Sequence, residues 1–434
     1  MSTILTAWME PFGPMSAVYN RGEGMKKNPY QAPFAMAEVL PPVFPERTVR
    51  VAWTGGDAGA IQQAIDDCAA QGGGTVAVAE GYWLSGGPLV LRSNIRLQLE
   101  AGTMLEFSDR FEDYLPVVQT RWEGIECYNY SPLIYARDCE NIAIVGKGAL
   151  LGRGTTWWNW KKRQGAAAEK LYRAQQNHQS VEERRYGTEE AALRPSFIQP
   201  FHCKNVQLEG LTIVDGPQWT VHPVYCENVL IQNMDIQTHG HNTDGLNPDS
   251  CRNVVIEGCR FYTGDDCIAI NSGMNEDGRR VNRPCENIII RNNQMLEGHG
   301  AIVIGSGMSG GVQNVYACNN QIQGGMWGIR IKSMRGRGGY IKDIWMEDME
   351  ISNIRRSPIQ ISMFYDTATV EPTESIPPVV SGIHLKNIRG RNNQGAVDVI
   401  GLPEQPMQDV TFEEVHFSPE AEVRVRDAEY EELK

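Results

Sequence analysis

Short apolar runs that alternate with polar residues, each closed by a turn, fill most of this chain. Many of them are introduced by one phrase, Cys-x-Asn followed by Val or Ile. It stands at Cys139-Glu140-Asn141-Ile142, Cys203-Lys204-Asn205-Val206, Cys226-Glu227-Asn228-Val229, Cys251-Arg252-Asn253-Val254 and Cys285-Glu286-Asn287-Ile288. Weaker echoes follow at Gln313-Asn314-Val315, Lys342-Asp343-Ile344, Lys386-Asn387-Ile388 and Gln408-Asp409-Val410. From Cys203 the successive intervals are 23, 25 and 34 residues. A period of roughly 20 to 50 residues marks a repeat architecture. Short strands joined by polar turns, with almost no amphipathic helix between them, predict an all-β fold, a parallel β-helix. The Leu-x-x-Leu-x-Leu pattern of leucine-rich repeats is absent. Each repeated cysteine is then expected to stack inside the coil as a small buried thiol, and each asparagine to cap a turn.

Two stretches break the strand pattern. Ile61, Ala64, Ile65 and Cys68 fall on one helical stripe within 60–70, with Asp57 as candidate N-cap and Gly72-Gly73-Gly74 as the stop. A helix here would cap the first open rung, as a solenoid requires. Between Thr155 and Leu193 no rung phrase occurs; an Ala-rich, charged stretch over 165–176 follows Trp157, Trp158 and Trp160. It reads as a partly helical insertion, whose tryptophans either stack on sugars or pack the insertion onto its host. The expected layout is an N-terminal extension over 1–50 and a single β-helix domain over 51–434.

Composition narrows the partners. With 40 Lys and Arg against 53 Asp and Glu the net charge is −13, which argues against nucleic acid, since a phosphate backbone demands a basic surface. An anionic substrate would need a local basic patch. No apolar run reaches the length of a membrane span. Met1 to Asn20 lacks a basic start followed by an apolar run, so no signal peptide is read. The chain as written is expected to be cytoplasmic, or periplasmic or secreted if a leader has been removed. The ten cysteines show no metal-ligand spacing. The sequence leaves the oligomeric state open.

Candidate chemistry is concentrated in one window. Asp244 and Asp265 lie 21 residues apart, close to one coil, and Asp266 follows directly. Residues at matching points of adjacent rungs place their carboxyl groups roughly 5–10 Å apart. That span covers both the inverting and the retaining arrangement of glycosidase carboxylates, so spacing alone does not choose between them. Adjacent Asp residues on a strand point to opposite faces; only a bend, which Gly264 permits, brings both to one side. Crowding of carboxylates raises at least one pKa and keeps an acid protonated. On the next coil Gly298-His299-Gly300 offers an uncrowded imidazole. One coil further, Arg330 and Lys332 share a strand face, and Arg335 and Arg337 extend the positive cluster. Such a patch beside carboxylates points to an acidic sugar.

Taken in order, Asn242-Thr243-Asp244-Gly245, Gly264-Asp265-Asp266-Cys267, Gly298-His299-Gly300 and Arg330-Ile331-Lys332 resemble the four-motif signature of glycoside hydrolase family 28, the polygalacturonases. The similarity runs from about Gly56 through Pro217-Gln218-Trp219-Thr220-Val221-His222-Pro223 to about Asn392. The resemblance implies a right-handed parallel β-helix and single-displacement hydrolysis of α-galacturonide linkages with inversion. It implies Asp265 as general acid, Asp244 and Asp266 at the attacking water, and His299 tuning the acid. Arg330 and Lys332 would bind a galacturonate carboxylate, with Asn242 and Tyr365 as further substrate contacts, and no metal or other cofactor is implied. Asp266 stands where the rhamnogalacturonan hydrolase branch has Glu, which favours a galacturonic acid glycoside. Asn247 stands where many polygalacturonases have Asp. The stretches 219–225 and 304–311 look like bacterial exo-acting members, and an insertion walling off one end of the site would fit chain-end attack.

The expected partner is therefore a pectic oligo- or polysaccharide containing galacturonic acid. Within the family, a rhamnogalacturonan-directed galacturonidase or rhamnosidase is the alternative. Two further rivals are a Ca²⁺-dependent pectate lyase, whose ion would need six to eight oxygen ligands, and a non-catalytic β-helical carbohydrate-binding protein. The Gly-His-Gly and Arg-Ile-Lys motifs weigh against the lyase.

Overall fold

Each rung phrase opens a strand, and the strands stack in parallel. Ile142 pairs with Val206, Val206 with Val229, Val229 with Val254 and Val254 with Ile288. The column continues through Val315, Ile344, Ile383 and Val410. All are buried. β-Branched side chains suit this pleated surface, so each coil offers the next an apolar template in register. The computed structural model describes residues 31–433, and these coils make it a parallel β-helix.

The asparagine of the phrase fixes the turn between strands. Asn141, Asn205, Asn228, Asn253, Asn287 and Asn314 all adopt φ between 54° and 58°, a left-handed conformation that asparagine tolerates better than most residues. Each side-chain amide donates to the Oδ1 of the asparagine one coil below, from Asn141 onto Asn94 up to Asn314 onto Asn287, at 2.9–3.1 Å. The cysteines of the phrase point inward. All ten cysteines of the chain are free and buried, and the Cys226 and Cys251 thiols donate to the Pro200 and Pro223 carbonyls.

A second strip of pairing carries the site. It runs from Ile198 through Val221, Leu246, Ile268, Ile302 and Ile329 to Ile359. These isoleucines, leucine and valine face the core, and the candidate site residues lie in the stretches beside them, over 240–249, 264–270, 298–304, 327–332 and 357–365.

The helix Gly59–Ala70 covers the first coil with Ile61, Ile65 and Cys68. Ala58, not Asp57, occupies the cap position, but the Asp57 carboxylate still accepts from the Gly59 N–H at 2.8 Å. The insertion is partly helical, with helices Gly154–Asn159 and Gly165–Gln176. Its tryptophans pack rather than present open faces. Trp157 is buried against Phe111 and Tyr114, Trp160 also packs on Phe111, and the Trp158 indole lies against Gly240.

The expected boundary at residue 50 falls inside the strand Thr48–Val51, which pairs with Gly74–Val78, and Phe34 onward belongs to the compact unit. The reason is an outward apolar row. Leu230, Val255 and Ile289 point away from the core on three successive coils, and Met36 and Val39 cover them. Among the described residues no helix is long and apolar enough to cross a membrane. The leader reading over Met1 to Asn20 and the extension up to residue 30 lie outside the described residues.

Candidate active site

The bend at Gly264 brings both neighbouring carboxylates to one side. A Cβ on Gly264 would lie 2.2 Å from the Gly240 carbonyl oxygen, so the two turns approach closer than any other residue allows. Oxygens of Asp244, Asp265 and Asp266 all come within 4.8 Å of one another. A water hydrogen-bonded to two carboxylates at about 2.8 Å each spans a gap of this size. Gly300 serves the same crowding: a Cβ there would meet Asp266 Oδ1 at 2.9 Å.

Each carboxylate has a different companion. Asp244 accepts from Asn247 Nδ2 at 2.9 Å. Burial, and then the charges of Asp265 and Asp266, push its carboxyl well above the ordinary range. Asp265 faces His299, Nδ1 to Oδ1 3.2 Å. Burial acts to raise Asp265, but the His299 hydrogen bond and charge, with Lys332 and Lys161, outweigh it and hold the carboxyl below its usual value. The same hydrogen bond raises His299 above an ordinary histidine. Asp266 pairs with the Lys332 ammonium at 2.8 Å, both largely buried, and its Oδ1 has no partner among the described residues. Lys332 and the raised His299 thus set positive charge against this cluster.

Arg330 and Lys332 do share a face. The Arg330 guanidinium lies 3.8 Å from the Trp327 ring centroid and 5.7 Å from that of Tyr365, and its Nε donates to Gln360 Oε1. Lys332 lies 5.5 Å from the same Tyr365 ring, so Tyr365 joins the site as expected. Two predicted members do not. Arg337 is buried against Ser306 and Asn275, and Arg335 pairs with Glu404. The chain turns after Lys332, so alternation no longer holds them on the Arg330 face. Asn242 does reach the site, where its Oδ1 accepts from Lys161 and from Arg194.

Sequence reasoning passed over four neighbours: Lys161 and Arg194, at either end of the insertion, Glu123, at the tip of the hairpin Val118–Trp122 and Ile125–Asn129, and Gln360 beside Arg330. None belongs to a motif, and only long-range contacts bring them here. Asn247 was noted only as a departure; it is the donor that holds Asp244. His222 is structural, buried among Gln199, Ser196 and Asp249.

Coils stacked beneath a trio of carboxylates, with a basic pair two coils further on, define a solenoid hydrolase of glycosidic bonds. The chain belongs to glycosyl hydrolases family 28, whose sequence profile matches residues 76–427. A solved exopolygalacturonase from Thermotoga maritima is 38% identical, with 91% of this chain and 92% of that one covered at a TM-score of 0.85. The Yersinia enterocolitica family 28 exopolygalacturonase shares the fold at 22% identity and a TM-score of 0.68, covering 89% of this chain and 75% of that one. A polygalacturonase of Saccharomyces cerevisiae is 28% identical over 287 residues, 63% of this chain and 69% of that one.

Proposed function

We propose that the protein hydrolyses α-galacturonide linkages from the end of a pectic chain, with inversion. The observation that carries this is the trio of carboxylate oxygens within 4.8 Å beside the Arg330 and Lys332 pair. The exo mode is supported by the likeness to the Thermotoga exopolygalacturonase and by the insertion standing beside Asn242.

In this reading Asp265 is the general acid. The Asp265–His299 pair holds one proton while His299 is charged. Sugar binding excludes water from the half-exposed imidazole, and loss of solvent favours the neutral form of the pair, carboxylic acid beside imidazole. Asp265 then protonates the glycosidic oxygen as the bond to the anomeric carbon breaks. Asp244 and Asp266 hold a water on the opposite face, which attacks that carbon and yields its proton to one of them. Arg330 takes a sugar carboxylate; its terminal nitrogens have no partner among the described residues, and its stacking on Trp327 fixes the plane of the fork.

Product chromatography on oligogalacturonides and on rhamnogalacturonan oligosaccharides tests the reading. Galacturonate monomer is expected from the first minutes on the former. Early release of long oligomers overturns the exo mode. Galacturonate or rhamnose released only from rhamnogalacturonan fragments overturns the linkage.

A further inference from the structure

Two cations, Lys161 of the insertion and Arg194 directly after it, converge on one neutral oxygen, Asn242 Oδ1. Arg194 is fully buried and uses its other donors on Gln164 Oε1 and on the Pro217 and His241 carbonyls at 2.8–3.1 Å. It has no ion-pair partner among the described residues, and burial brings its pKa down to about 10. All its acceptors are neutral, so it is a positioning residue for the turn that carries Asn242. Lys161 is different. It is half-buried, makes one hydrogen bond to Asn242, and likewise has no carboxylate partner among the described residues. An ammonium has three donors, so two are unused.

Two acids feel this charge without pairing to it. Lys161 acts on both Glu123 and Asp265 across space. Glu123 accepts from Gln218 Nε2 at 3.2 Å, and burial holds its carboxyl above the ordinary range. A partly desolvated ammonium is expected to find an anion. In a chain of net charge −13, one that is held on a neutral Asn242 oxygen and pairs with no carboxylate among the described residues is a place prepared for a ligand.

The position of this cation relative to the acid decides what it meets. With Asp265 as the acid, leaning on His299, and Arg330 taking a carboxylate on that side, the proposed roles put the leaving group toward His299 and Arg330 and the glycone toward Asn242. On that side Trp158 lies on Gly240, and Trp122 donates to the Arg194 carbonyl and to Gln218. The insertion and the hairpin tip therefore occupy the strip along which a longer glycone would run.

We propose that Lys161, with Asn242 and Glu123, forms the subsite for the terminal, non-reducing sugar. The Lys161 ammonium takes its carboxylate and Glu123 takes a ring hydroxyl. The inference rests on the reading of the protein as a chain-end galacturonide hydrolase, and it assigns to an insertion residue a recognition role separate from that of Arg330 and Lys332.

The test compares trigalacturonate with the same trimer whose non-reducing-end carboxylate has been reduced to the alcohol. Lys161→Gln keeps a donor for Asn242 but removes the charge. On trigalacturonate it is expected to raise KM roughly 10- to 100-fold, the range for a hydrogen bond to a charged group, with a smaller change in kcat. On the end-reduced trimer it should match the wild type, and Lys161→Arg should recover most of the loss. An unchanged KM, or an equal loss on both trimers, overturns the proposal. Should the wild type release no galacturonate from trigalacturonate, the underlying reading fails. Calorimetry of D-galacturonate against D-galactose then decides the cation separately. A preference for galacturonate that Lys161→Gln abolishes supports it, and equal binding overturns it.

Discussion

Asp244→Asn is expected to stabilise the protein while disabling it. Asp244 is buried, and its carboxylate sits within 4.8 Å of two others. At an effective dielectric of about 20, one unit charge at that distance repels another by about 3.5 kcal/mol. Lys332 on Asp266 and His299 on Asp265 cancel much of this, which leaves a net penalty of about 1–3 kcal/mol. The amide is isosteric and still accepts from Asn247. A group whose folded pKa is raised weakens the fold as pH rises through that pKa, and below its unfolded value of about 4 it adds no penalty. The gain from Asn should therefore be present at neutral pH and vanish below about pH 4. With an unfolding entropy of about 2 cal/mol/K per residue, a chain of this length gains about 1–4 °C in Tm at pH 7. Calorimetric melts of both proteins from pH 4 to pH 8 measure it, beside a reducing-sugar assay in which the variant is expected to lose at least about a thousandfold in kcat. A lower Tm at pH 7, or a gain that persists unchanged at pH 4, refutes the reasoning.

Asp265→Asn should leave the fold intact and abolish reducing-sugar release, by about a thousandfold or more; retention of a tenth of the activity would remove Asp265 from the acid role. The wild-type rate should follow a bell in pH. It rises as raised Asp244 ionises, above the ordinary carboxylate range, and falls as raised His299 loses its proton, above an ordinary histidine; a His299→Gln variant that keeps the alkaline limb unchanged counts against that assignment. Gly264→Ala should cost about 1–3 kcal/mol through overpacking against the Gly240 carbonyl and reduce kcat by displacing Asp265, and a crystal structure with an unmoved Asp265 would contradict this. Asn253→Ala removes one rung of the asparagine ladder and forces alanine into a left-handed turn. A loss of about 2–3 kcal/mol in denaturant melts is expected, with KM unchanged; no loss would show that the ladder contributes nothing.

What was legible in the sequence is what repeats or stays local. The Cys-x-Asn-Val phrase determined the coil, because an in-register parallel stack needs the same residue type at the same point of each turn. The motifs at Asp244, Asp265, His299 and Arg330 were readable for the same reason, since a coil turns a sequence interval into a short distance along the axis. Arg335 and Arg337 were misplaced because alternation ends where the strand does. Only the tertiary structure decided the surroundings. Met36 and Val39 cover the outward apolar row of Leu230, Val255 and Ile289, a contact that the sequence reading did not foresee. Lys161, Arg194 and Glu123 reach Asn242 from segments that follow no repeat, and no period links them to it. Their charges matter because the protein excludes water around them, and that exclusion comes from packing between distant segments.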